Sequence, residues 1–181
     1  MTVPTGFQAS SDFAHHLRTA LPYLEGFRSS LVVVLMDSQL LGHPESRVLE
    51  DLALLSQSGL QMLIVLDSVP MVTQELARQG ISCRIEEDRL LPEPELLPQL
   101  ERICAHAQSR LMKRLATSGT QALPVTGPFV QAERLPSSSS GNETCNGKVR
   151  EICAKRLSQI LETGVPVLLS TLALGEKGRL W

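Results

Sequence analysis

The sequence predicts a three-layer α/β sandwich with a mostly parallel sheet, and three observations predict it. The runs Ser30 to Gln39 and Gln61 to Pro70 are matched: each contains a continuous apolar stretch that stops at Asp-Ser. Strands apolar on both faces belong to parallel sheets covered by helices. Between them, Pro44 to Ser58 carries Val48, Leu52 and Leu55 at helical spacing, and Gly59 ends the segment. The third observation is order. The chain of 181 residues reads α-β-α-β-α-β-α, then a β-hairpin, a helix and a strand, which suits one domain. Open sheets of this kind bind ligands beyond the carboxyl ends of their strands. That rule places Asp37, Ser38, Asp67 and Ser68 on the rim of the expected pocket.

Each element has its own local cause. Ser11-Asp12 is an expected helix N-cap, and Phe13, Leu17, Ala20 and Leu21 then line one face before Pro22. Two uses of that helix stay open at this point, docking on the sheet or contact within a homo-oligomer. The division expected is a helical segment over residues 1–26 and an α/β domain over residues 27–181. Pro70 opens a short helix to Gln79, which Gly80 stops. Ile81 to Ile85 follows as a short strand. Glu86-Glu87-Asp88 reads as a solvated loop or the acidic start of the next helix.

Pro92 to Ala116 is the longest helical segment, with an apolar stripe at Leu96, Leu100, Ile103, Ala107 and Leu111. Arg110, Lys113 and Arg114 fall in its last turns, where cations suit the helix dipole. Leu123 to Thr126 and Phe129 to Leu135 read as short strands broken by Gly127-Pro128. Ser137 to Asn142 makes a loop tip, and Gly147 to Ile152 returns as the second strand of an edge hairpin. Cys153 to Thr163 is a helix with Ala154, Leu157 and Leu161 inward. Gly164 caps it, and Val165 to Leu174 is a buried strand.

Composition excludes several functions. The net charge of −2 gives no field to draw in nucleic acid or acidic lipid, and 3% aromatic residues leave no base-stacking platform. No apolar run is long enough to span a bilayer. Met1 to Ser11 has neither an apolar signal core nor an Arg-rich transit pattern, so an intracellular, cytoplasmic protein is expected. An organelle matrix or plastid stays open if a transit peptide lies outside the given sequence. Cys83, Cys104, Cys145 and Cys153 form no Cys-x-x-Cys pair and stand at no zinc spacing from a histidine, so reduced thiols and no metal are expected. His15, His16, His43 and His106 have no nominated nucleophile and read as surface or helix-face residues. The sequon Asn142-Glu143-Thr144 reads as chance without a signal peptide.

Four segments carry a family resemblance. They are Phe27-Arg28-Ser29-Ser30 into Leu31 to Leu35, Asp51 to Leu60 into Met62 to Val65, Thr126-Gly127-Pro128-Phe129-Val130, and Gly147 to Ile152 through Leu161 to Ser170. Together they resemble the amino-acid kinase family, most closely the amino-acid-kinase-like domain of N-acetylglutamate synthase. The resemblance covers most of the chain from about Ser11 onward. It implies an amino-acid-kinase-like fold lacking the nucleotide-binding lobe and any acetyltransferase domain. It also implies a place in arginine biosynthesis, in a domain associated in the family with arginine feedback and oligomerisation.

The departures from the family shape the functional expectation. Amino-acid kinases place a lysine in the first strand and a glycine pair after it, which steady the transferred phosphoryl group. The matching positions here resemble Val34, Met36 and Asp37. The second, glycine-rich loop of the kinases is here Asp67-Ser68-Val69 before Pro70, where side chains fill the space bare backbone would leave. No Arg/Gln-x-x-Gly-x-Gly turn for acetyl-CoA occurs. The chain is therefore expected to be a non-catalytic regulatory or oligomerisation portion, with no catalytic residue and no cofactor.

The family also grips a substrate carboxylate with the arginine of an Arg-x-Thr motif, and Arg84-Ile85-Glu86 resembles that place. Arg84 is thus a candidate carboxylate contact for an acyl-amino acid or arginine, or the internal partner of Glu86. Two other readings stay open. One is a stand-alone degenerate kinase that binds a synthase or kinase partner. The other is a receiver-like phosphoacceptor domain using Asp67, against which stands a single acid, Asp37, after the first strand.

Overall fold

The computed structural model describes residues 5–86, 89–126, 129–135, 145–175 and 178. Helix α1 (Thr5–Phe27) precedes strand β1 (Leu31–Asp37), helix α2 (Val48–Gln57), strand β2 (Gln61–Asp67) and helix α3 (Val69–Arg78). Two short strands, β3 (Arg84–Glu86) and β4 (Arg89–Leu91), lead to the long helix α4 (Leu97–Thr117). Strands β5 (Leu123–Val125), β6 (Val130–Arg134) and β7 (Gly147–Ile152), helix α5 (Ala154–Leu161) and strand β8 (Val167–Ser170) complete the order.

The central sheet runs β1-β2-β8-β5, and each neighbouring pair is parallel. The apolar runs of β2 and β8 explain their inner places. Ile64, Leu66, Val167 and Leu168 are fully buried, which only the middle of a covered sheet allows. One face packs Met36, Ile64 and Leu168 against Leu52 of α2 and Leu111 of α4. The other face packs Val125, Val167 and Leu169 against Leu157 and Leu161 of α5. Helix, sheet and helix thus form three layers, as the alternation predicts. Gly59 closes α2 at a φ of +93°, where a side chain would be strained and would also meet Arg28 Cγ at 3.3 Å.

Several elements differ from the sequence reading for identifiable reasons. Helix α1 begins before Ser11 and runs through Pro22 to Phe27. A proline inside a helix removes one backbone donor but does not forbid continuation. Among its described side chains, Phe13, Leu17, Leu21, Tyr23 and Phe27 stay exposed rather than docking on the sheet, Phe13 and Tyr23 at 68% and 67%. The strand expected over Ile81 to Ile85 falls at Arg84–Glu86, and β4 was not foreseen at all. These two pair antiparallel as their own ribbon, outside the central sheet. Residues 87 and 88 of the acidic cluster lie outside the described residues.

The hairpin of β6 and β7 forms as expected but makes a separate two-stranded ladder. A single parallel bridge, Gln131 to Leu174, ties it to the chain after β8. Its loop tip and Gly127-Pro128 lie outside the described residues. On α5, Ala154 faces solvent, and Ile160 instead joins Leu157 and Leu161 at the core. The cations near the end of α4 do more than suit its dipole. Arg110 donates to the Leu41 carbonyl at 2.8 Å, and Arg114 to the Leu40 carbonyl at 3.0 Å. They hold the 3-10 turn Ser38–Gly42 against the helix.

β8 is the strand whose loss would open both layers. Leu168→Ala is expected to destabilise the domain by about 2–5 kcal/mol, as large-to-small changes in a closed core do. Urea denaturation followed by far-UV circular dichroism checks it, and a change under about 0.5 kcal/mol would contradict the central position of this side chain.

Candidate functional site

The parallel register brings Asp37 and Asp67 side by side at the carboxyl ends of β1 and β2. Both carboxylates are spent locally. The Gln39 N–H donates to Asp37 at 2.7 Å, and this cap opens the 3-10 turn. The Val69 N–H donates to Asp67 at 3.0 Å, as α3 begins. Such Asx turns are what short acids do at the end of a strand.

Ser38 and Ser68 have no exposed surface. Ser38 Oγ accepts from the Met71 N–H at 3.3 Å, fastening the first loop to α3. Ser68 Oγ donates to the Leu66 carbonyl at 3.5 Å. The four residues expected on a pocket rim are thus tied into the turns after β1 and β2, and none is in the lining of the cavity beside them.

That cavity, about 420 Å³, lies beyond the carboxyl ends of β2 and β8. Val69 and Val72 of α3, which follows β2, form one wall, and Leu97, Leu100 and Cys104 of α4 another. Thr171 and Leu172 enter directly after β8. The two ribbons close the rest: Arg89 and Leu90 come from β4, and Lys148 and Val149 from β7. A backbone bond joins the ribbons, since the Cys145 N–H donates to the Pro92 carbonyl at 2.8 Å. The general rule for open sheets thus holds for β2 and β8, while β1 ends in a closed turn.

The electrostatics are sparse. Among the described residues, Arg89 and Lys148 are the cations of the lining, and no carboxylate is part of it. Lys148 Nζ stands 2.9 Å from Glu133 Oε1 across the hairpin. That contact holds the Glu133 carboxyl below its usual range. Arg84, the sequence candidate, lies on β3 away from the lining, in an ion pair with Glu86. Sequence reasoning passed over Arg89. The available signal is Arg89-Leu90-Leu91-Pro92, an arginine that opens a short apolar run leading into the prolines before α4.

All four cysteines are unbridged thiols. Burial pushes the Cys104 thiol up, and its contacts with the hydroxyls of Ser68, Ser170 and Thr171 pull the other way. Among the described residues no group of three or more His, Cys, Asp or Glu could hold a metal ion. No helix among them is long and apolar enough to cross a membrane. His15 and His16 meet edge to face at 6.1 Å on α1, and His43 Nδ1 lies 2.9 Å from Glu45 Oε1.

Thiolate, not thiol, is the nucleophile, so a buried thiol with a raised pKa reacts slowly. Alkylation of the native chain near neutral pH, followed by peptide mass spectrometry, should therefore modify Cys104 last. Cys104 labelled ahead of the half-exposed Cys153 would contradict this arrangement.

No family model matches the chain. Curated relatives do. It is 25% identical over 178 residues to an amino-acid acetyltransferase of Pseudomonas syringae, covering 94% of this chain and 41% of that protein. The corresponding Azotobacter vinelandii protein is 27% identical over 178 residues, with the same coverage. The chain thus spans about two-fifths of the length of these relatives. Among solved structures, N-acetylglutamate synthase from Neisseria gonorrhoeae, complexed with coenzyme A and L-arginine, superposes with a TM-score of 0.79. That match is 22% identical and covers 93% of this chain and 42% of the synthase. Over nearly its whole length, then, the chain is similar to amino-acid acetyltransferases, and its fold is the amino-acid-kinase-like α/β fold found in N-acetylglutamate synthase.

Proposed function

We infer that the chain is a non-catalytic, amino-acid-kinase-like unit of an N-acetylglutamate-synthase-type protein, acting inside the cell in arginine biosynthesis. Its work in this reading is to bind a small amino-acid-derived carboxylate and to hold chains together. The observation that carries it is a contrast along one sheet edge. At β1 and β2 the loops contain carboxylates bonded to their own backbone, with buried serines beneath. Phosphoryl transfer is nearly all positioning and positive charge, and these loops supply neither. Toward β8, by contrast, the fold leaves a cavity whose lining includes the Arg89 guanidinium. We assign Arg89, rather than Arg84, as the contact for a ligand carboxylate, since a planar guanidinium suits bidentate binding.

The assembly half of the reading rests on uncovered apolar surface. Phe13, Leu17 and Leu21 recur every four residues on α1, and all are exposed. Leu31, Val33 and Leu35 alternate along β1 on the face that α5 leaves bare, and Leu35 is 74% exposed. Contiguous apolar surface of this kind marks an interaction face. Acetyl transfer is not assigned to this chain, which spans about two-fifths of the relatives that carry the name.

Two measurements test the reading. In a thermal-shift series, an amino-acid-derived carboxylate such as N-acetylglutamate, N-acetyl-leucine or arginine should raise the melting point. At about 100 times Kd the rise should be roughly 5–10 °C for a domain of this size. ATP with magnesium should leave it unmoved, and a clear ATP shift overturns the non-catalytic assignment. Light scattering should give a mass above that of one chain, and Leu17→Asp with Leu21→Asp should reduce it to one chain with helix content retained. A parent chain that is monomeric at every concentration removes the assembly half.

A further inference from the structure

Resting on the reading of the cavity as a carboxylate site, we propose that it selects a small monocarboxylate with an apolar body and no cationic group. An N-acylated amino acid with a branched apolar side chain is the type. The charge inventory sets the number of carboxylates. Of the two cations in the lining, Lys148 is already neutralised by Glu133. Arg89 stands opposite Glu86 in the β3–β4 register, where an ion pair would be expected. Glu86 is instead paired with Arg84 on its own strand. Among the described residues, one guanidinium is thereby left at the mouth for one carboxylate.

The walls set the rest of the ligand. Val69, Val72, Leu90, Leu97, Leu100 and Leu172 converge from α3, β4, α4 and the segment after β8. A second carboxylate placed among them would be desolvated without a partner, which is strongly unfavourable. A ligand cation fares no better, because among the described residues the lining holds no acid to pair it. A free α-ammonium or a side-chain guanidinium is therefore selected against, while an amide is tolerated: Asn146 and Thr171 supply polar groups at the edge. Val and Leu side chains reward a branched hydrocarbon by burial of apolar area. The volume of about 420 Å³ sits at the lower end of small-ligand sites and suits a molecule of about ten to fifteen heavy atoms.

Arg84 acquires a role in this scheme as a positioning residue. It occupies Glu86, and so keeps Arg89 available.

Isothermal titration of the full chain with N-acetyl-L-leucine, 4-methylpentanoate, N-acetyl-L-glutamate and L-arginine tests the proposal. N-acetyl-L-leucine should bind at least about tenfold more tightly than N-acetyl-L-glutamate or L-arginine, a difference that one buried unpaired charge readily produces. The 4-methylpentanoate arm separates a general fatty acid site from one that uses the amide: equal affinity for both apolar acids discards the acyl-amino-acid assignment. Arg89→Gln should weaken N-acetyl-L-leucine about tenfold or more, and Arg84→Gln should weaken it by freeing Glu86 to compete for Arg89. Leu97→Lys should narrow the preference over N-acetyl-L-glutamate by supplying the missing second cation. Tighter binding of N-acetyl-L-glutamate to the parent chain, or no change of preference in Leu97→Lys, overturns the selectivity while leaving the cavity a carboxylate site. Absence of binding by all four overturns the site itself.

Discussion

Everything in this molecule follows from the parallel register of β1, β2 and β8. Parallel pairing puts the carboxyl ends of the strands on one side, and so gathers every loop that could hold a ligand. It also requires helical crossovers, which bury both faces of the inner strands and explain their unbroken runs of Ile, Leu and Val. Leu66 pairs with Ser170 and Met36 with Leu66 in that register, so three loops leave the sheet at one level. The site is thus a property of strand direction before it is a property of any side chain.

What the strand ends then contain decides the chemistry. The same edge carries two local solutions. Where the chain leaves β1 and β2 through Asp-Ser, the acid bonds the following backbone and the loop closes over buried serine. Where it leaves β8 through Ser170-Thr171, Ser170 Oγ accepts from the Leu172 N–H at 3.2 Å in a turn without a carboxylate, and the ribbons β3–β4 and β6–β7 roof a cavity beyond it. Arg110 and Arg114 reinforce the first solution by holding carbonyls of the 3-10 turn from the neighbouring helix. The two regions meet at Ser68, whose hydroxyl lies beside the thiol of Cys104 in the cavity wall.

The layers were legible in the sequence because burial writes itself as periodicity. The runs around Val32 and Leu63 and the stripe Leu100, Ile103, Ala107, Leu111 admit few other arrangements. The small ribbons were harder to read. β3 and β4 have three residues each, too short for alternation to declare itself, and each includes an exposed arginine. Arg84 stands out in the sequence only through its resemblance to the family's Arg-x-Thr motif, and Arg89 has no such marker. Only the tertiary arrangement shows that one pairs with an acid on its own strand and the other borders the cavity. The exposed face of β1 was misread for a different reason. Leu31, Val33 and Leu35 look like core residues in sequence, and whether a neighbour covers them is a tertiary fact that no local pattern contains.

The capping aspartates tie the charge of this sheet edge to the shape of its loops. A lysine at position 37 would bring the positive charge a phosphate wants, but it would also remove the acceptor that shapes the turn, and Arg110 and Arg114 would then hold a loop without its first hinge pin. Charge and loop geometry would have to change in the same step, and a lineage that acquires one without the other passes through a weaker protein. A carboxylate that serves as scaffolding in this way resists replacement by a cation.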